Sequence, residues 1–243
     1  MHGQNSKENQ DNQVEYYNGY VSRQKNVGVN LRHKSIVEKL LNAGLKNDAS
    51  VLEIGCGIGT FSGLLADLLP NGKGLCIDIS DKSIEEASKR YESKSNLTFL
   101  IANAVNHDFG SQTFDTIVLP DVIEHIPLEF HSKLFESISK VLKPNGFVFI
   151  HIPNPHYLAW CHENRPDLLQ IIDQPIYTNE LITNTSPYGL NIHSLNTYSI
   201  WVEDGDYQYI ILKKDKYQNF NNQIEEKITI WDKIKYKLNA SKE

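Results

Sequence analysis

The stretch 51-VLEIGCGIGT-60 decides how this chain is read. An apolar strand runs straight into Gly55, Gly57 and Gly59, and a helical pattern opens immediately behind them. Glycines at such a junction let the backbone turn sharply and let a ligand approach the main chain closely. The spacing is not that of a nicotinamide or flavin fingerprint. Its third glycine falls one position early, and Thr60 stands where G-x-G-x-x-G requires glycine. A phosphate P-loop is excluded too, because no Gly-Lys-Ser/Thr follows.

Outward from this turn, short apolar runs alternate with amphipathic segments. The strand runs are 51-VLEI, 74-GLCID, 97-LTFLI, 114-FDTIVL and 147-FVFIHI, and helices are predicted over 60–69, 81–91 and 128–142. Ser80 is placed to cap the second of these helices, and Pro144-Asn145-Gly146 supplies a turn before the fifth strand. Near-continuous apolar strands separated by helices predict a parallel sheet covered on both faces. Two longer runs, 190-LNIHSLNTYSIW and 206-DYQYIILKK, flank 203-EDGD and predict an antiparallel hairpin at its edge. The expected fold is therefore α/β, a doubly wound, Rossmann-like, mostly parallel seven-stranded sheet ending in an antiparallel edge hairpin.

The remaining segments set the domain organisation. Residues 1–13 carry almost nothing apolar and read as a disordered leader. A single domain is expected over 14–219, with an N-terminal helical lid at 14–48 and an acceptor-pocket insert at 153–188. Over 220–243, Ile224, Ile228, Trp231, Ile234 and Leu238 recur at steps of three and four, predicting an amphipathic terminal helix. That helix can pack on its own domain or pair two copies as a homodimer. A net charge of −6 argues against a nucleic-acid partner, whose phosphates call for clustered Lys and Arg. Three cysteines without a C-x-x-C pair offer neither a disulfide framework nor a zinc knuckle. No apolar leader or 18-residue apolar run is read, so no membrane association is expected and the cytoplasm is the expected compartment.

Asp78 ends the second strand run, which a doubly wound sheet places beside the glycine turn. There a carboxylate can accept hydrogen bonds from ribose hydroxyls. Its plain alternative is a turn aspartate before a capped helix. With the glycine turn at the right distance, the pair points to a nucleoside site. Together with 99-FLIANA, 114-FDTIVLPDVIEHI and 141-VLKPNGFVFI, these motifs resemble the class I S-adenosylmethionine-dependent methyltransferases over about residues 30–152. Asn30 and Arg32, the Glu124-His125 pair and Ile152-Pro153-Asn154 are similar to elements of the small-molecule O-methyltransferases of the ubiquinone-biosynthesis type. The resemblance implies S-adenosyl-L-methionine as cofactor and S-adenosyl-L-homocysteine as product. It implies that Glu53 organises the glycine turn and that Gly55, Gly57 and Gly59 form it. Arg32 would face the cofactor's carboxylate and Asp78 its ribose. Ile79, Asn103 and Ala104 would border the adenine, and Leu119 and Pro120 the methionyl side. Asn103 replaces the aspartate many members have, and its amide oxygen can still accept the adenine amino bond.

Ligands in open α/β sheets bind outside the carboxyl ends of the strands, so an acceptor base must follow the fourth or fifth strand. His125 is the first candidate because the resemblance places a histidine there near the acceptor. His151 and His156 are the alternatives, and each histidine also has a plain reading as a hydrogen-bonded structural residue. Tyr16 and Tyr20 of the aromatic leader, with Asn154 and Tyr157 of the insert, are candidate contacts for a small-molecule acceptor. No metal site is read, since no H-E-x-x-H or other ligand spacing occurs. The expected reaction is in-line methyl transfer to oxygen or nitrogen. The rival is a non-catalytic S-adenosylmethionine-binding module or partner subunit.

Overall fold

The strands are β1 (Ser50–Ile54), β2 (Lys73–Asp78), β3 (Leu97–Ile101), β4 (Phe114–Pro120), β5 (Leu142–Pro153), β6 (Leu190–Tyr198) and β7 (Tyr207–Lys214). The helices are α1 (His2–Val27), α2 (Leu31–Asn42), α3 (Thr60–Leu68), α4 (Asp81–Arg90), α5 (His131–Val141), α6 (Pro155–Asn164) and α7 (Thr178–Thr185). This computed structural model describes residues 2–214, with side chains from residue 12 onward. The terminal helix expected over 220–243, and with it any pairing of two copies through it, lies outside the described residues.

The sheet order is β3-β2-β1-β4-β5-β7-β6. Strands β1 to β5 pair in parallel, and β7 runs antiparallel to both β5 and β6. The fold is the expected Rossmann-like seven-stranded sheet with an antiparallel edge. From β1 the chain winds outward through β2 and β3, then returns to place β4 on the other side of β1. That reversal opens a crevice beyond the carboxyl ends of β1 and β4, where such sheets bind their ligands.

Side-chain alternation explains the continuous apolar runs. Ile117 and Leu119, Val148, Ile150 and Ile152, and Ile210 and Leu212 pack on one face against Leu134, Phe135 and Ile138 of α5. Val118, Phe147, Phe149 and Ile211 pack on the other, against Ile36 and Leu40 of α2 and Phe61 and Leu65 of α3. Both faces are dry, so the central positions of these strands, 117–119, 147–150 and 210–212, are apolar without alternation.

Local chemistry fixes the helix starts. Asn30 Oδ1 accepts the His33 N–H, and His33 Nδ1 accepts the Asn30 N–H, a reciprocal cap on α2. Ser80 Oγ accepts the Ser83 N–H at 3.0 Å and caps α4 as expected. Three boundaries differ from the sequence reading. Helix α1 begins at His2, not Val14, because Gln, Lys and Glu lose little freedom in a helix and lengthening an existing one is cheap. Strand β5 starts at Leu142 and runs through Pro144-Asn145-Gly146, with a register shift against β4. The β6–β7 connection spans residues 199–206 instead of forming a tight two-residue hairpin. Asp206 holds it open by accepting the Ile200 and Trp201 N–H groups at 2.7 and 2.9 Å.

Phe135 is fully buried between α5 and the sheet. Phe135→Ala should cost about 3–5 kcal/mol through lost burial and an unfilled cavity, read as a lower urea midpoint at unchanged m-value.

Candidate cofactor and acceptor cleft

The crevice at the strand reversal is a cavity of about 280 Å³. Its floor is the glycine turn. The Gly55 and Cys56 N–H groups both donate to Ile77 O, at 2.8 and 3.0 Å, which folds the turn back onto β2. Gly55 and Gly57 have φ of 74° and 53°, and a side chain on either would run into Val122 or Gln24. Asp78 sits beside them. Its Oδ2 accepts the Gly57 N–H at 2.8 Å and its Oδ1 the Ser80 N–H at 2.9 Å. Burial pushes this carboxyl up while those bonds oppose the shift. Each oxygen keeps a second acceptor position for hydroxyls.

Glu53 lies beneath the turn, fully buried. Its Oε2 accepts from Ser62 Oγ at 2.6 Å and its Oε1 has no partner. Burial pushes the carboxyl up to about 7 against the hydrogen bonds from Ser62 and Cys76. Tyr17 Oη, Gln24 Oε1 and Arg32 Nε are also buried without partners, and all four residues line the same cleft. Orphaned buried polar atoms are costly and rare, and this set comprises two acceptors, one cationic donor and a hydroxyl. It fits a ligand bearing an ammonium, a carboxylate and hydroxyls, such as a nucleoside joined to an amino acid.

Helix α1 roofs the cleft with Tyr17, Tyr20, Arg23 and Gln24. It is tied down by Ser80 Oγ donating to Asn18 Oδ1 at 2.6 Å, by Lys25 against Glu86 at 2.7 Å, and by Gln13 Nε2 donating to His125 O at 3.0 Å. At the β4 exit, Asp121 adopts φ 58°, an uncommon conformation for a non-glycine residue. Its carboxylate accepts from Arg32 at 3.1 Å and from His151 Nδ1 at 2.7 Å. Desolvation would raise that carboxyl, but Arg32 and His151 hold it below the usual carboxylate range. The fully buried His151 contacts Tyr198 Oη through Nε2 at 2.7 Å and stacks on Tyr207.

The far wall carries His125. Its Nδ1 lies 2.6 Å from Ile172 O and 3.2 Å from Asp173 Oδ1. Both are acceptors, so Nδ1 carries the proton and Nε2 presents a lone pair in the neutral ring. Gln170 Nε2 lies 3.0 Å from it. The buried His131 pins the loop beneath, its Nε2 being 2.9 Å from Ile123 O and 2.8 Å from Ile126 O.

Of the residues singled out in the sequence, Arg32, Glu53, Gly55, Gly57, Asp78, Ile79, Asn103, Ala104, Pro120, His125 and Tyr20 line the cleft. Arg32 differs from expectation in being taken by Asp121, with Nε left open. The others lie elsewhere. Gly59 faces Tyr91 at the start of α3, and Leu119 points into the core on the α5 side of the sheet. Tyr16 stacks on Tyr20, outside the lining. His151 is sealed between strands and turned to Asp121, and the exposed His156 abuts Tyr177. Asn154 caps α6 and donates to Gly205 O at 2.7 Å, while Tyr157 stacks on Trp160. Gln24, Asp121, Gln170 and Asp173 were missed. Asp121 stood inside a quoted motif without a role, and the other three carry no spacing signal. No helix among the described residues is long and apolar enough to cross a membrane. No group of three or more His, Cys, Asp or Glu among them could hold a metal ion.

Glu53 gives the site a pH signature. Its folded pKa lies above the unfolded carboxylate value, so between the unfolded value and about 7 the native state binds the extra proton. The stability contribution of the neutral carboxyl is thus present at low pH and lost as pH rises through about 7. Glu53→Gln should remove that loss, so its melting temperature relative to wild type should increase between pH 5 and pH 8. A constant difference would show that Glu53 does not titrate in this range.

A methyltransferase-domain family profile matches residues 51–146. The chain is 30% identical over 102 residues to a tRNA N(3)-methylcytidine methyltransferase of Schizosaccharomyces pombe, covering 40% of this chain and 41% of that protein. It is 28% identical over 204 residues to a phosphoethanolamine N-methyltransferase of Triticum aestivum, covering 83% and 36%. These matches span less than half of either relative. The fold superposes on the N-methyltransferase NodS of Bradyrhizobium japonicum in complex with S-adenosyl-L-homocysteine, with TM-score 0.59, 19% identity, and 76% and 86% coverage. The matched segment, the sheet order and the glycine turn beside Asp78 together show a methyltransferase domain over residues 51–146 on the Rossmann-like fold of S-adenosylmethionine-dependent methyltransferases, with S-adenosylmethionine as the cofactor.

Proposed function

We propose that this chain moves a methyl group from S-adenosylmethionine to an oxygen or nitrogen of a small molecule, with His125 receiving the acceptor's proton. The observation that carries this reading is the His125 ring. Its proton is committed to Ile172 O and Asp173 on one side, which leaves the Nε2 lone pair on the cleft wall. The Glu124-His125 pair is also the element similar to the ubiquinone-biosynthesis type of O-methyltransferase. A roofed cleft of about 280 Å³ suits a small acceptor better than a polynucleotide, and so does the acidic net charge of −6. The tRNA substrate of the yeast relative is therefore not carried over.

When bound, S-adenosylmethionine would supply an activated sulfonium methyl for in-line displacement, with S-adenosylhomocysteine as the leaving group. The protein's own work is then mostly positioning, which can account for about 7–11 kcal/mol of a barrier. Asp78 would hold the ribose hydroxyls on its remaining acceptor positions. Glu53 Oε1 and Arg32 Nε would meet the amino-acid end, while Tyr17, Tyr20 and Gln24 of α1 would exclude water from above. His125 Nε2 takes the proton that the acceptor's O–H or N–H gives up, an effect worth about 10²–10⁴-fold.

Asp78→Ala should weaken S-adenosylhomocysteine binding at least about tenfold, the loss of hydrogen bonds to a charged acceptor, as read by titration calorimetry. Labelled methyl transfer onto a panel of phenols, amino-sugars and amines should identify the acceptor class. With that acceptor, His125→Ala should retain cofactor affinity while kcat falls by about 10²–10⁴. Near-normal turnover in that variant would remove the histidine base. Tight cofactor binding with no transfer to any acceptor would favour the non-catalytic binding module.

A further inference from the structure

We infer that the strap of residues 169–174, within the insert after α6, is the acceptor-recognition element. In it Gln170 holds the acceptor's place on His125, and Asp173 sets the position of both residues. The inference rests on His125 facing the acceptor, as proposed above, and extends that reading to the specificity of the same site.

The strap is built onto the His125 loop through several bonds. The Gln174 N–H donates to Glu124 O at 2.9 Å, and its side-chain Nε2 donates to Ile126 O at 2.9 Å. His162 of α6 bonds Asp173 O from behind through Nε2, at 2.6 Å. Asp173 then works in two directions, its side chain only 8% exposed. Oδ2 accepts the Gln170 N–H at 2.7 Å, and Oδ1 shares the Nδ1 proton of His125 with Ile172 O. One carboxylate thereby fixes the ring orientation of His125 and the backbone at Gln170.

The consequence lies on the opposite ring nitrogen. With the proton on Nδ1, Nε2 can only accept in the neutral ring, so Gln170 must present its amide N–H across the 3.0 Å contact. A nucleophile surrendering its proton to Nε2 needs that same position. Gln170 and the acceptor's O–H or N–H group therefore compete for one lone pair, and acceptor binding requires the Gln170 amide to move off the ring. Gln170 lines the cleft, and its amide carries both a donor and an acceptor to offer the incoming molecule. The acceptor class follows: a small molecule with a protic oxygen or nitrogen and a further polar group within reach of an amide.

The cap can be read without knowing the acceptor. Diethylpyrocarbonate acylates unprotonated imidazole nitrogen, and modification of His125 can be followed by peptide mass spectrometry on the full-length protein with S-adenosylhomocysteine bound. Gln170→Ala should accelerate carbethoxylation of His125 about two- to tenfold, the equilibrium weight of one neutral hydrogen bond. Asp173→Ala should accelerate it as well, because it releases the Gln170 N–H while Ile172 O still holds the Nδ1 proton of His125. Melting temperatures taken alongside report folding of each variant independently. Unchanged rates in both folded variants overturn the cap, whatever the methyl-transfer panel returns. If the rates rise and the wild type methylates a panel acceptor, Gln170→Ala should raise KM for that acceptor and alter its selectivity between hydroxyl and amine members. Unchanged KM and selectivity would overturn the recognition role. Accelerated carbethoxylation with no methyl transfer by wild type would leave the cap standing and refute the proposed activity instead.

Discussion

The carboxylate of Asp121 is the point at which the site is held together. It sits where β4 ends, beside the glycine turn of β1, and binds Arg32 from α2 and His151 from β5. Through His151 the connection continues to Tyr198 of β6, whose hydroxyl also accepts from Ser35 of α2 at 3.1 Å. Elements on both sides of the strand reversal thus meet at one buried anion. A carboxylate out of water is tolerated only when paired and hydrogen-bonded, and both conditions are met here. The left-handed backbone at Asp121 costs about 1–3 kcal/mol and persists because these contacts over-determine it.

That arrangement divides the cleft into two ends with different chemistry. At the β1 end, backbone N–H groups, Asp78 and the unpartnered oxygen of Glu53 form a surface for hydroxyls and an ammonium. At the β4 end, Tyr17, His125 and Gln170 line the wall where the acceptor is proposed to bind. Asp121 separates the two and keeps Arg32 on the cofactor side. Two covers close over them independently, α1 from the amino terminus and the 169–174 strap from the insert. Both touch His125, the first through Gln13 on its carbonyl and the second through its ring.

The cofactor end was readable from the sequence because its geometry is local. Gly55 and Gly57 follow β1 directly, Asp78 ends β2, and parallel pairing of Glu53 with Cys76 brings the two strand ends level. Strand parity then decides which neighbours point outward, so Pro120 reaches the cleft while Leu119 goes into the core. The acceptor end was readable only in part. Position after a strand end admitted His125, His151 and His156 alike; only the resemblance put His125 first, and His151 and His156 lie outside the cleft.

What the sequence by itself determined, then, is the sheet, its two dry faces, the glycine turn and the carboxylate beside it. Each is set by a hydrophobic period or by adjacency along the chain. The partners of the functional groups were decided by the tertiary structure alone. Asp121 choosing Arg32 and His151, and His125 choosing Asp173, Ile172 and Gln170, are bonds between residues far apart in sequence. Such a bond leaves no period and needs no unusual residue type. It exists because folding brings a donor and an acceptor together where water is excluded, and there an unpaired group costs more than the order needed to pair it.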